Sequence, residues 1–123
     1  AFHPVSHHSN LRDRIEKLTI IQRYHMERFA DFVAKLAATP DGDGSILDHS
    51  LFLYGSNMSN SNLHNNYPLP EVLVGGANGH HVGGKNVTLP ARTPLANLHL
   101  TILDRLGIGQ QSFGDSTGLI SEV

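Results

Sequence analysis

The fold depends first on residues 11–38, which read LRDRIEKLTIIQRYHMERFADFVAKLAA. Apolar or ring-bearing side chains recur here every three or four residues, and charged side chains fill other faces. The recurring set is Ile15, Leu18, Ile21, His25, Phe29, Phe32 and Leu36. This period predicts one long helix, capped by Ser9 or Asn10 and ended at Thr39-Pro40, since proline disfavours a helical residue before it. We expect the helix to cover one face of a sheet.

Two short apolar runs after this helix predict the strands. They are Leu51-Phe52-Leu53-Tyr54 and Glu71-Val72-Leu73-Val74. A continuous apolar run suits a strand that is buried on both faces, as in a parallel sheet under helices. The Asn- and Ser-rich residues 56–66 between them predict a flexible or ligand-lining loop. A second helix is expected to start at Thr93-Pro94 and to end at Gly107.

These elements predict an α/β fold, with few, mostly parallel strands packed by a long N-terminal helix and a C-terminal helix. The length of 123 residues suits a single domain over residues 1–123. Two or three strands are few for a stable sheet. We therefore expect the missing strands to lie outside this sequence, in the remainder of its parent chain or in another subunit.

Composition excludes several classes of function. A net charge of −2 gives no basic surface for nucleic acid. No run approaches the ~20 apolar residues of a membrane span. The absence of Cys excludes disulfides, thiolate metal sites and a Cys nucleophile. The unusual feature is histidine, with nine residues against nine Lys and Arg together.

Histidines at two places suggest a metal site. His3 and His7 have a four-residue spacing that lets both rings reach one ion if the segment is helical or looped, with Ser6 as a hydrogen-bonding partner. His64 follows the polar loop after the first strand, where open α/β sheets place ligands. The alternative is a solvated histidine-rich segment and a surface His64. The turn at residues 41–45 resembles the start of a calcium loop, but its twelfth position is Phe52, where Glu is required, so we interpret it as a solvent turn.

The sequence HPVSHH at residues 3–8 resembles the motif that names the HXXSHH family, bacterial proteins of unknown function. The resemblance extends in order through residues 38–45, 47–50, 53–59, 62–65, 93–98 and 112–118. It implies that the chain is the C-terminal part of a longer exported protein of the periplasm or cell envelope, although this sequence carries no export signal.

That family is in turn similar to the alkaline phosphatase and sulfatase superfamily, which implies a partial alkaline-phosphatase-like fold. The similarity implies His3, His7 and His64 as ligands of a divalent metal ion, with zinc favoured over calcium. His3 stands where the superfamily has Asp.

The similarity also implies supporting or weak contacts from Ser6, His8 and Asn57. Asn57 stands at an Asp position of the superfamily, and its neighbour Met58 is a poor ligand for zinc. The sequence therefore favours a single, histidine-dominated ion.

The resemblance implies two functions. One is a metal-dependent hydrolase of small phosphate or sulfate esters, whose nucleophile lies outside this chain, so that no catalytic residue is assigned here. The other is a non-catalytic binding or scaffold module of the cell envelope with a degenerate site. The histidines favour the first, and Asn57 with Met58 favours the second. A self-standing α/β domain with solvated histidines is the third possibility.

Overall fold

The computed structural model describes all 123 residues. Three α-helices form, which are α1 (Phe2–Ser6), α2 (Arg12–Ala38) and α3 (Leu95–Arg105). The strands are β1 (Pro40–Asp41), β2 (Gly44–Ser45), β3 (Phe52–Gly55) and β4 (Glu71–Val74), and a 3₁₀ turn follows at Ala77–Gly79. The mixed helix-and-strand class is confirmed. None of the helices combines the length and the apolar character that a membrane crossing requires.

Helix α2 starts within one residue of the predicted start and ends at Ala38 as predicted. Its cap was predicted wrongly, because the N-cap is Leu11, which makes no side-chain cap hydrogen bond. Ser9 and Asn10 instead have φ values of 51° and 58° and form the turn that leaves α1. Because these two polar residues belong to the turn after α1, neither of them caps α2.

The prediction of parallel strands is wrong. β3 and β4 pair antiparallel, with Phe52 opposite Val74 and Tyr54 opposite Val72. A parallel pair needs a crossover connection, usually a helix, whereas an antiparallel pair only needs the chain to turn back. The residues between β3 and β4 contain no helix. The apolar runs located the strands, but their residues are half-buried or exposed and not buried on both faces as predicted. The connection between the strands decides their direction.

The two faces of the β3–β4 sheet contact different elements. On one face, the Tyr54 ring stacks on Phe29 of α2 at 4.5 Å between centroids, and Phe52 meets Phe32 edge-on at 5.5 Å. On the other face, Leu73 lines a cavity together with side chains of α3 and the C-terminal tail. The sheet therefore lies between α2 and the α3 region, but it has only two strands and none of its residues is fully buried.

Most of the buried core lies around α3. The buried residues of this region are Ala96, Asn97, Leu98, Leu100, Thr101 and Ile120. The Thr101 hydroxyl donates to the carbonyl of Asn97 and accepts from the N–H of Ile120, both at 2.8 Å. The Asn97 amide binds Thr117 twice, at 2.8 and 3.1 Å. These bonds hold the tail against α3. By contrast, α2 buries only Leu18.

Candidate metal site

The short helix α1 brings the first two predicted ligands together. His3 and His7 are one helical turn apart, and their ring centroids are 4.7 Å apart in an edge-to-face contact. Ser6 lies between the two histidines in the sequence and is buried. Its hydroxyl donates to the carbonyl of His3 at 2.8 Å. Ser6 thus stabilises the backbone of α1, which sets the relative position of the two imidazoles.

A tight asparagine turn presents the third predicted ligand. The Asn60 side-chain oxygen accepts from the N–H groups of Asn62 and Leu63, and Asn60 bridges to Asn65. Asparagine side chains stabilise turns in this way. His64 lies in the turn with φ of 51°, a left-handed conformation in which histidine is enriched. The polar segment predicted as a flexible or ligand-lining loop is therefore an ordered turn at this point.

Two hydrogen bonds join the asparagine turn to the N-terminal segment. The Ser61 hydroxyl donates to the carbonyl of Ser6 at 2.9 Å, and the N–H of Ser9 donates to the Asn62 side chain at 2.8 Å. As a result, the His64 ring lies against His7 with 4.9 Å between centroids. The three rings form a row with His7 in the middle. The structure thus brings together the three imidazoles that the sequence singled out.

The spacing of each adjacent pair of rings in the row matches that of two imidazoles on one ion. Two imidazoles on one tetrahedral zinc have ring centres roughly 5 Å apart, because each Zn–N bond is ~2.0–2.1 Å. The two observed spacings are 4.7 and 4.9 Å. The nitrogens do not already converge, since no group of three or more His, Cys, Asp or Glu side chains is arranged to hold a metal. His3 and His64 are exposed and His7 is half-buried. Convergence of their three nitrogens on one ion would require these side chains to rotate.

Of the other predicted contacts, His8 follows His7 in the sequence, whereas Asn57 lies at a separate cavity. His8 is buried, and its Nδ1 accepts from the N–H of Asn10 at 3.1 Å, so that nitrogen is occupied by the protein itself. Asn57 makes no hydrogen bond to the three rings and lines a cavity of about 950 Å³ together with Tyr67 and Glu71. Burial raises the pKa of Glu71, against a smaller lowering by His99. Asn57 therefore lines this cavity and is not a contact of the histidine row.

Another histidine, His49, lies between two carboxylates. β1 and β2 form the hairpin that carries the predicted solvent turn. His49 approaches Asp41 through Nδ1 at 3.0 Å and Asp43 through Nε2 at 3.2 Å. The hydrogen bond with Asp41, with further help from the charges of Asp41, Asp43 and Asp48, raises the pKa of His49. We call this group the acidic turn: Asp41, Asp43, Asp48 and His49.

Asp48 anchors the acidic turn to β2. Its Oδ2 accepts from the hydroxyl of Ser45 at 2.7 Å and from the N–H of Ser45 at 2.8 Å. These hydrogen bonds lower the pKa of the Asp48 carboxyl. A small cavity of about 320 Å³ opens beside Asp48, His49 and Asn78. Sequence reasoning missed this group; the signal was the pair Asp48-His49 close behind the acidic DGDG run.

Comparisons with protein families, with curated proteins and with solved structures find no match to this chain. The resemblance to the HXXSHH family therefore stays a prediction from its short motifs. The candidate site is defined by the geometry of the histidine row.

Proposed function

We propose that this chain is the metal-binding C-terminal segment of a metal-dependent hydrolase-like protein that acts on phosphate or sulfate esters. His3, His7 and His64 are the ligands of one divalent ion. The observation that carries the proposal is that these imidazoles meet although they come from segments about 55 residues apart, which are joined by the bonds of Ser61 and Asn62.

The donor atoms favour zinc over calcium. Imidazole nitrogen is a common zinc ligand, whereas calcium takes six to eight oxygens. No carboxylate forms a hydrogen bond or an ion pair with the three rings. The site therefore supports a single ion of the zinc type. A second ion has no support, since Asn57 is neutral and faces the separate cavity.

The catalytic part of the proposal concerns the longer protein. A bound ion would offset negative charge on a transferring phosphoryl or sulfuryl group and lower the pKa of an attacking hydroxyl. We place the nucleophile outside these 123 residues and assign no catalytic residue here. Export and an alkaline-phosphatase-like parent domain belong to the same proposal; the two-stranded sheets of this chain are not that fold by themselves.

One observation favours the second function, a non-catalytic binding or scaffold module of the cell envelope. Histidines that bind metal usually donate their other N–H to a carboxylate, a carbonyl or water, and this contact orients the ring. Every imidazole–carboxylate contact of this structure is at His49, and none is at the histidine row. A row without such support suits a site that has lost its catalytic role.

Metal content and affinity test the proposal. The chain, purified without a histidine tag, is analysed for bound metal and titrated with zinc against a chromophoric chelator. We expect one zinc per chain, and weaker binding in His3→Ala, His7→Ala and His64→Ala. His80→Ala is the matched control, because His80 is exposed and outside the row. Equal affinity in all four variants would contradict the assignment.

A second assay separates the two functions. Hydrolysis of an aryl phosphate and an aryl sulfate is measured on a longer chain that contains this sequence, with and without zinc. Turnover that requires zinc and falls in His7→Ala supports the hydrolase. Stoichiometric zinc without turnover of either ester supports the binding or scaffold module.

A further inference from the structure

Helix α1 is too short to be stable by itself. It has five residues, Phe2–Ser6, and no side-chain hydrogen bond caps its start. Isolated helices shorter than ~12–15 residues are marginal in water, because the first turn orders several residues for a single hydrogen bond. Helix α1 therefore depends on the elements that it contacts. These are α2, where the Phe2 ring meets that of His25 with 5.8 Å between centroids, and the asparagine turn.

Two hydrogen bonds hold the N-terminal segment on the asparagine turn. They join Ser61 to Ser6 and Ser9 to Asn62, which are 55 and 53 residues apart in the chain. A neutral hydrogen bond contributes little net stability, since the same groups bond to water when the contact opens. Folded proteins open locally where buried apolar contacts are few, and α1 buries no apolar residue. We therefore expect this contact to open before the α3 core does.

The ligands of the histidine row come from both sides of this contact. His3 lies in α1 and His7 is its C-cap, whereas His64 lies in the asparagine turn. The His7 ring contacts each of the other two rings, but those of His3 and His64 make no contact with each other. Coordination of one ion by all three imidazoles brings the outer two to the same centre. It would therefore add a third link between α1 and the turn.

We propose that the ion is a structural clip, which holds α1 on the asparagine turn and so makes the docking of α1 depend on zinc. This inference rests on the three ligands of the proposed function. A ligand that binds only the docked form makes the open form rarer by a factor of one plus the ratio of free ligand to Kd. At free zinc ~100 times Kd, opening of the contact should therefore be about 100-fold rarer.

Hydrogen exchange of the Ser9 amide tests the clip, because this N–H donates to Asn62 across the contact. It is measured by NMR at neutral pH on the chain purified without a histidine tag, with a chelator and then with zinc. Zinc at ~100 times Kd should slow the exchange about 100-fold. The His80→Ala control should show the same slowing. His64→Ala should not, even with zinc bound, because its two remaining ligands both lie at α1 and cannot join it to the turn.

A second pair of variants tests the link without changing a ligand. Ser61→Ala removes the hydrogen bond to the carbonyl of Ser6. Without zinc, the Ser9 amide of this variant should exchange faster than that of the wild type, and saturating zinc should restore slow exchange. Ser59→Ala is the matched control, since Ser59 is exposed in the same loop and its hydroxyl makes no hydrogen bond to α1. It should behave as the wild type does.

Zinc titration of the same samples against a chromophoric chelator separates the clip from the metal site itself. One zinc per chain with an unchanged exchange rate of the Ser9 amide would overturn the clip and leave the metal site standing. Equal slowing in His64→Ala would also overturn it, because the ion would then act within α1 alone. A chain that binds no zinc would overturn both proposals.

Discussion

The histidine row and the acidic turn use the same side chain in opposite surroundings. In the row, the His7 ring contacts those of His3 and His64, and none of the three meets a carboxylate. In the acidic turn, His49 lies between Asp41 and Asp43. Imidazoles that contact one another and no carboxylate leave their nitrogens available to an external cation, whereas the carboxylates beside His49 raise its pKa and favour its protonated form. The presence or absence of neighbouring carboxylates therefore distinguishes the pH-dependent ion pair of the acidic turn from the candidate metal site of the histidine row.

Removal of the middle ring should have the largest effect. His7 contacts both other rings of the row, so His7→Ala leaves two imidazoles with no common neighbour. We expect the zinc affinity of His7→Ala to fall by more than roughly 10–100-fold, which is the usual cost of losing a residue that only orients a metal ligand. Competition titration measures it. His49→Gln should bind zinc as the wild type does; if the loss appears in His49→Gln instead, the roles of the two regions are reversed.

Loosening the asparagine turn should have the next largest effect. Asn62→Ala removes the acceptor for the Ser9 N–H, one of two hydrogen bonds that hold His64 beside His7. Because the ligands themselves remain, zinc affinity should fall only about 10–100-fold. Isothermal titration calorimetry measures it, with Asn66→Ala as the control. Unchanged affinity would mean that the turn does not position His64.

The acidic turn should show its role in the pH dependence of stability. The folded-state pKa of His49 is raised, chiefly by Asp41, so its stabilisation is fully present below the unfolded value of ~6.5 and is lost as pH rises through the folded pKa. The urea midpoint of His49→Gln should therefore lie below that of the wild type at pH ~5–6, and the difference should shrink at alkaline pH. A difference independent of pH would contradict the ion pair. His80→Ala controls for loss of an imidazole alone.

The smallest effect is expected at Asp48. Its folded-state pKa is lowered, first by the hydroxyl of Ser45, so its stabilisation is present above the unfolded value of ~3.9 and is lost as pH falls through the folded pKa. Ser45→Ala should raise the Asp48 pKa in an NMR titration and move acid unfolding slightly to higher pH. Ser121→Ala is a control in the exposed tail. An unchanged Asp48 titration would show that Ser45 does not hold the carboxylate.

The helices were predictable because their information is local. The apolar period of residues 11–38 and the Thr93-Pro94 start gave α2 and α3 within a few residues. The positions of β3 and β4 followed from their apolar runs for the same reason. The direction of pairing did not, because it depends on how the chain returns between them. A short apolar run reads alike in a parallel and an antiparallel pair.

The site was predictable in part. His3 and His7 follow from a spacing within one turn of α1, and His64 was named for its place in the polar loop. The bonds of Ser61 and Asn62 that bring His64 to His7 have no sequence pattern of their own. Asn57, expected as a weak contact, forms no hydrogen bond to the row. The contacts of His49 arise only when the β1–β2 hairpin folds, and a turn-forming run does not specify them.

X-ray absorption at the zinc edge of the zinc-loaded chain tests the central claim most directly. The histidine row predicts a first shell of three imidazole nitrogens at ~2.0–2.1 Å, completed by one light atom, with one imidazole lost in His64→Ala. A shell with a single imidazole and carboxylate oxygens, unchanged by His64→Ala and abolished by His49→Gln, would place the ion in the acidic turn and contradict the assignment of His3, His7 and His64.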